Sequence, residues 1–294
     1  DKILMGFDFG TNGVKALAYS VRMEKVMITA YKSYPVITPY KNQAEHDPKE
    51  WWSAFVWCVG KLLAEGAFQK EQVSALCVSS HTPTLTPVKE DGEPLMNGMI
   101  WADGRAVEES LELQRDYGKE IASVNPASIR PYHIVSKLFW FKKYKRELYD
   151  RTAMFLDCSN YITYRLTSRF TIDRSMATNY HFYNIFEKKW DERLAEKLQI
   201  DLRRFPKVCD CHEVIGHLTN EAAEELGLPK QTMVAAGASD TAVATLSAGI
   251  FSRNQMAYSC GTGSSVSCSR NVGKESSIRQ MTGSSQSDMR IRII

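Results

Sequence analysis

The chain opens on a short apolar run, Ile3-Leu4-Met5-Gly6-Phe7, that stops at Asp8. A polar stretch, Gly10-Thr11-Asn12-Gly13, follows, and a second apolar run covers Val14 to Tyr19. Two such runs around an Asn-Gly pair predict a hairpin. Further on, Asp47 precedes Pro48, with Glu50 three residues after the Asp, which marks a helix start. Trp51, Trp52, Phe55, Val56, Val59, Leu62 and Leu63 then recur at helical spacing as far as Gly66, so this helix has a face to bury.

A strand is predicted at Ala75–Ser79, running into the polar turn Ser80-His81-Thr82-Pro83-Thr84, then a strand through Val88 and a turn at Asp91-Gly92. Helical spacing returns over Val135–Glu147, Asn160–Leu166, Asp191–Leu198 and Asn220–Leu226, the last stopped by Gly227. Another strand, Thr232–Ala236, leads through Gly237-Ala238-Ser239 to Asp240 and a small-residue helix over 241–248. Met256–Cys260 reads as a strand entering the turn Gly261-Thr262-Gly263, and from Asn271 the polar, basic composition predicts an irregular tail. The fold class is α/β, and hairpins ahead of the first long helix argue for a mixed sheet flanked by helices.

With 44% hydrophobic residues over 294 positions, the chain can bury a substantial core. Its formal charge of +3 is too small to drive it to nucleic acid or a membrane, so neither is expected as a partner. Seven cysteines at unrelated spacings, with no leader pattern and no apolar run of membrane-spanning length, fit a reducing cytoplasm. Cys209-Asp210-Cys211-His212 lacks the spacing of zinc ligand pairs. The aromatic and basic mixture of Phe139 to Arg146 is read as an amphipathic helix with its lysines reaching outward, not as a nucleic-acid groove.

Two glycine-containing turns, one early and one late, could grip phosphates from two sides, because backbone N–H groups in tight turns form anion-binding concavities. Neither has the Lys-Ser/Thr of a Walker loop or the spaced glycines of a dinucleotide fingerprint. Asp8 at the first turn, Thr262 in the second and Asp240 at a strand end between them could serve phosphoryl transfer.

Here a resemblance becomes specific. Phe7-Asp8-Phe9-Gly10-Thr11-Asn12-Gly13-Val14-Lys15 resembles the first phosphate motif of the actin, Hsp70 and sugar-kinase superfamily, and Gly261-Thr262-Gly263 resembles the second. Trp101-Ala102-Asp103-Gly104-Arg105 is similar to a signature of the FGGY carbohydrate kinases, and Ala236 to Asp240 resembles their catalytic-aspartate segment. Pro131-Tyr132 with Ser136-Lys137-Leu138 and Trp140, and Asp173-Arg174-Ser175, match further family segments, so the resemblance covers residues 3 to 268.

That resemblance, xylulokinase-like, implies an actin-like, ribonuclease-H-like lobe over residues 1–250 that binds sugar. Residues 251–294 would begin a second, nucleotide-binding lobe. The implied cofactors are ATP and Mg²⁺, and the implied partner is a small sugar or polyol, with a homodimer left open. Asp240 would be the catalytic base and Asp8 would hold Mg²⁺. Gly10, Thr11, Asn12, Lys15, Gly261, Thr262 and Gly263 would face the phosphates. His81, Thr82, Trp101, Asp103, Tyr132, Asp240 and Thr241 would face the sugar.

Glycerol kinases carry Gln-Arg-Glu and xylulokinases Gln-Met-His at the turn where this chain has His81-Thr82-Pro83, and Thr241 replaces their Gln or Asn. These departures argue against glycerol and leave xylulose, ribulose and gluconate open. Plainer roles stand beside the functional ones: a helix-capping Asp240, a buried hydrogen-bonding His81, a simple turn at Thr11-Asn12. A sugar-binding module without catalysis, or a filament or chaperone relative, are the readings from other classes.

Overall fold

The computed structural model describes residues 1–250, 255–260, 264–272, 275–283 and 290–293. Its centre is a seven-stranded mixed sheet. Ile3–Gly10 and Gly13–Ser20 form the expected hairpin, and Lys25–Ser33 extends it antiparallel to one edge. On the other side Val73–Ser80 runs parallel to Ile3–Gly10, Met233–Ala235 runs parallel to Val73–Ser80, and Val214–His217 closes that edge antiparallel. Ala238–Ser239 continues the parallel pairing along the far end of Val73–Ser80. Three antiparallel strands leading into parallel neighbours, flanked by helices, make the actin-like, ribonuclease-H-like fold.

The hairpin turn differs in one detail from its prediction. Gly10 pairs with Gly13, so Thr11-Asn12 occupy the turn and Gly13 begins the next strand. A Cβ at Gly13 would lie 2.6 Å from the Lys32 carbonyl oxygen, which is why a glycine stands there.

Helix Pro48–Ala64 starts where expected: the Asp47 carboxylate accepts the Lys49 N–H at 2.9 Å, and Pro48 needs no donor in the first turn. Its Trp51, Phe55, Val59 and Leu62 face the sheet and join Phe7, Phe9, Val14, Leu76 and Val78 in the main core. A second core lies beyond the sheet, where Leu138 and Phe141 meet the aromatic group Phe155, Tyr180, Phe182 and Phe205. The Phe139 to Arg146 stretch is amphipathic as read, with Phe141 buried and Lys143, Lys145 and Arg146 exposed.

Three elements depart from the sequence pattern. The helix expected over Val135–Glu147 is two helices, Ile134–Tyr144 and Arg146–Arg151, broken at Lys145 where ψ turns to 44°. Val107–Val124 is a long helix absent from the expected elements, an amphipathic one whose Leu113, Ile121 and Val124 are buried amid Glu, Gln, Arg and Lys. The tail expected to be irregular from Asn271 carries antiparallel strands instead. Ser264–Val272 pairs with Glu275–Gly283, and that strand pairs with Arg290–Ile293. Backbone ladders form between polar strands as well as apolar ones. Among the described residues, no helix is long and apolar enough to cross a membrane.

Candidate active site

The parallel register sets three strand ends side by side. Asp8 aligns with Ser79, Ser79 aligns with Ala238, and the chain then turns at Ser239 into the helix Asp240–Ser247. Asp8 on the first of these strands and Asp240, one residue past the last, are thereby brought to either side of the end of the middle one. The Asp8 carboxylate accepts the Ser79 hydroxyl at 2.9 Å, and Lys15 sits opposite Asp8 on the hairpin.

Gly237 makes this arrangement possible. Its φ is +82°, and a Cβ there would fall 1.9 Å from the Val78 carbonyl oxygen, so only glycine lets the backbone pass so near the central strand. Past it, Ser239 caps the helix, its hydroxyl accepting the Ala242 N–H at 3.3 Å. Asp240 is thus not the cap. Its Oδ1 accepts the Thr241 N–H at 2.6 Å and the Thr241 hydroxyl at 3.1 Å.

Behind this turn stands a relay. Buried Asp173 accepts the Ser175 hydroxyl at 2.5 Å, and the Ser175 oxygen accepts the Ser239 N–H at 2.9 Å. Burial pushes the Asp173 carboxyl upward, while Ser175 and the N–H groups of a short helix pull it back.

At the hairpin, the Tyr34 hydroxyl donates to the Gly10 carbonyl at 2.6 Å and the Tyr31 hydroxyl to the Asn12 carbonyl at 3.1 Å. Trp101 Nε1 donates to Thr11 Oγ1 at 3.0 Å, which joins the second expected motif to the first. Burial raises the Tyr34 phenol well above its ordinary range, so it stays a donor.

His81 follows the central strand directly, its N–H bonded to the Phe9 carbonyl at 2.8 Å. The ring is buried, with Nδ1 3.2 Å from Thr84 Oγ1 and its centroid 5.2 Å from that of His46. Burial, then His46 and Lys137, lower its pKa well below the ordinary value, so it is neutral. Among the described residues neither His81 Nε2 nor Thr82 Oγ1 has a hydrogen-bond partner, although both atoms are buried. His46 accepts the Trp51 indole N–H at 3.1 Å, and burial lowers its pKa to about 4.

Asp103 is placed differently from the expectation that it faces a sugar. It is fully buried and its oxygens are engaged, taking the Ala44 N–H at 2.8 Å and the Arg105 guanidinium at 2.6 to 3.0 Å. Arg105 also reaches Glu45 at 2.6 Å and lies over the Trp140 ring. Asp103 therefore shapes the loop that presents Trp101. Tyr132 is half-buried and packs on His133, which packs on His181. Gly261, Thr262 and Gly263 lie outside the described residues.

Ser79, His46 and Asp157 escape a reading by motif, and Lys137, though part of a matched segment, carries no expected role. Asp157 accepts the Thr84 N–H at 2.6 Å and the Tyr180 hydroxyl at 3.0 Å, and burial raises its pKa to about 7. Lys137 had a signal: Ile134, Lys137, Leu138 and Phe141 fall on one helical face, and all four are buried.

The hairpin suits MgATP by its donor set. A half-buried carboxylate, a facing lysine and a tight turn can serve phosphates and a hydrated Mg²⁺. Among the described residues no group of three His, Cys, Asp or Glu side chains could hold a metal alone.

Residues 3–247 match the model of the FGGY family of carbohydrate kinases, N-terminal domain. The chain is similar to a xylulose kinase of Bacillus subtilis (strain 168), 25% identical over 261 residues that make up 89% of this chain and 52% of that protein. A gluconokinase of the same organism is 24% identical, over 90% of this chain and 51% of its own length. The chain thus spans about half the length of these relatives. The solved structure of a ligand-bound xylulose kinase from Lactobacillus acidophilus superposes with a TM-score of 0.88 at 24% identity, covering 96% of this chain and 60% of the other.

Proposed function

Because the chain belongs to the FGGY family of carbohydrate kinases, we propose that it carries the sugar-binding lobe of an ATP-dependent kinase for a ketose, a polyol or a sugar acid. The observation that carries this reading is the register that brings Asp8 and the Ser239-Asp240 turn to either side of Ser79. Binding alone does not call for an aspartate on each side of the end of one strand.

In this reading Asp240 accepts the proton of the attacking sugar hydroxyl, and Thr241 holds the carboxylate's orientation through its N–H and hydroxyl. Asp8 and the Gly10–Gly13 turn hold the magnesium and phosphate end, with Lys15 adding charge. MgATP, when bound, supplies the transferred phosphoryl group. His81, neutral and with Nε2 unpartnered, and Thr82 offer hydrogen bonds to sugar hydroxyls; such groups reject analogues that lack the matching hydroxyl.

The near-equal likeness to a xylulose kinase and a gluconokinase supports an open-chain polyhydroxylated substrate and does not choose between them. Sugar binding without turnover by this chain alone is the second reading, favoured by its match to about half of each relative. Calorimetric titration with xylulose, ribulose, fructose, gluconate and glycerol tests both. One saturable binder, weakened by Asp240→Ala, supports a sugar site at Asp240, and phosphorylation of that sugar from MgATP separates the kinase from the binding module. No saturable binder in the panel sinks both readings.

A further inference from the structure

A lysine fully buried in a core is costly unless its ammonium is answered by hydrogen bonds or charge. Lys137 is such a residue, on the helix Ile134–Tyr144. Its Nζ donates to three backbone carbonyls: Pro83 at 3.0 Å, Met99 at 3.0 Å and Ile100 at 2.7 Å. Pro83 belongs to the turn that carries His81 and Thr82, and Met99 and Ile100 lead directly into Trp101. The three donors of one ammonium are therefore divided between two separate stretches of chain.

We infer that Lys137 is a positioning residue for the sugar site, clamping the His81-to-Thr84 turn to the segment that presents Trp101. The inference rests on the proposed sugar site for its functional meaning, but the clamp itself is a matter of backbone geometry. Leu85 and Met99 already exchange two backbone hydrogen bonds at 3.0 Å, so the stretches touch at one point. Lys137 adds the second attachment that stops them rotating about it. Asp157 also fixes this turn, through Thr84, and Trp101 passes the constraint to Thr11 in the turn proposed to hold phosphates.

Burial works against the charge, and the neighbouring charges act on it in both senses. Burial lowers the Lys137 pKa to about 7, while the carboxylates of Asp103 and Asp157 favour the proton and Arg105 opposes it. A neutral aliphatic side chain would pack in the same space and supply no donor. The Met99 and Ile100 carbonyls would keep the backbone N–H groups of Leu85 and Asp103, and the Pro83 carbonyl would lose its Lys137 donor.

The test is amide hydrogen exchange at Leu85 and Asp103 in Lys137→Met, compared with Leu138→Ala, which removes apolar packing from the same helix and no hydrogen bond. Exchange about tenfold faster at these two amides in Lys137→Met, at matched global stability, is the expected result. Sugar affinity should fall with it, by about ten- to a hundredfold for the tightest sugar of the panel. Equal acceleration in the two variants, or acceleration spread evenly over the chain, would overturn the clamp. If Lys137→Met does not fold, Lys137→Leu, which also supplies no donor, is read against the same control and by the same criteria. The exchange measurement needs no ligand, so a wild-type chain that binds no sugar sinks the kinase reading and leaves the clamp to be judged by exchange.

Discussion

The hydroxyl oxygen of Ser175 accepts the backbone N–H of Ser239 at 2.9 Å, one residue before the proposed catalytic Asp240. Both serines are buried, and the same hydroxyl donates to Asp173. Ser175→Ala leaves the Ser239 N–H without this acceptor and Asp173 without this donor. A loss of about 1–3 kcal/mol in urea unfolding is expected, with weaker sugar binding measured while the variant is still folded. An unchanged unfolding midpoint would remove the relay from the account.

Gly237→Ala should be worse. The new methyl would overlap the Val78 carbonyl in a backbone already at φ +82°. The expected loss is about 2 kcal/mol or more, read as a lowered denaturant midpoint. Gly60→Ala is the comparison, since no atom lies within 4 Å of a Cβ there and alanine suits a helix better. It should leave stability equal or raised.

Acid should weaken the fold through His46. Its folded pKa of about 4 lies below the ordinary value of 6.5. The unfolded chain therefore binds more protons between those values, and the contribution is complete above 6.5 and lost as pH falls through about 4. Asp157, raised from 3.8 to about 7, acts oppositely, its contribution being lost as pH rises through about 7. His46→Asn, which keeps an acceptor for the Trp51 indole, isolates the histidine. The difference in stability between wild type and variant should change by at most about 3 kcal/mol between pH 7 and 4. A constant difference would show that His46 is protonated in the folded chain as easily as in the unfolded one.

The Trp101 to Thr11 hydrogen bond predicts coupling between two motifs 90 residues apart in sequence. In a double-mutant cycle, Thr11→Val and Trp101→Phe should show an interaction of about 1 kcal/mol in unfolding free energy. Additive effects would mean that the turn holds its shape without the indole.

The sequence shows its fold most plainly where local chemistry and tertiary packing agree. Asp47-Pro48 starts a helix whose tryptophans recur at helical spacing, and Thr219 with Gly227 bounds another at the expected residues. It hides the fold where burial is polar. Val107–Val124 buries Glu109 and Ser110 beside three apolar residues, so part of its buried face is polar. The hairpin proposed to hold phosphates and the Ser239-Asp240 turn are readable as motifs because glycine marks close backbone approach. The role of Asp103 is not readable in that way. A carboxylate in a signature segment looks like a ligand contact, and only the geometry shows Arg105 and Ala44 consuming it. Lys137 lies between these cases: its spacing places a charge on a buried face, and its three carbonyl partners come from distant stretches of chain.

The pairing of Ala238–Ser239 with Ser79–Ser80 also dictates when the site can exist during synthesis. The Asp8 side is available as soon as the central strand has emerged, but its opposite wall arrives some 160 residues later (238 less 79). Until then a nascent chain exposes one long edge of Val73–Ser80, with hydrogen-bonding groups open to any passing strand. The glycine that permits the late strand to approach so closely is therefore also what allows the lobe to seal its own most adhesive edge.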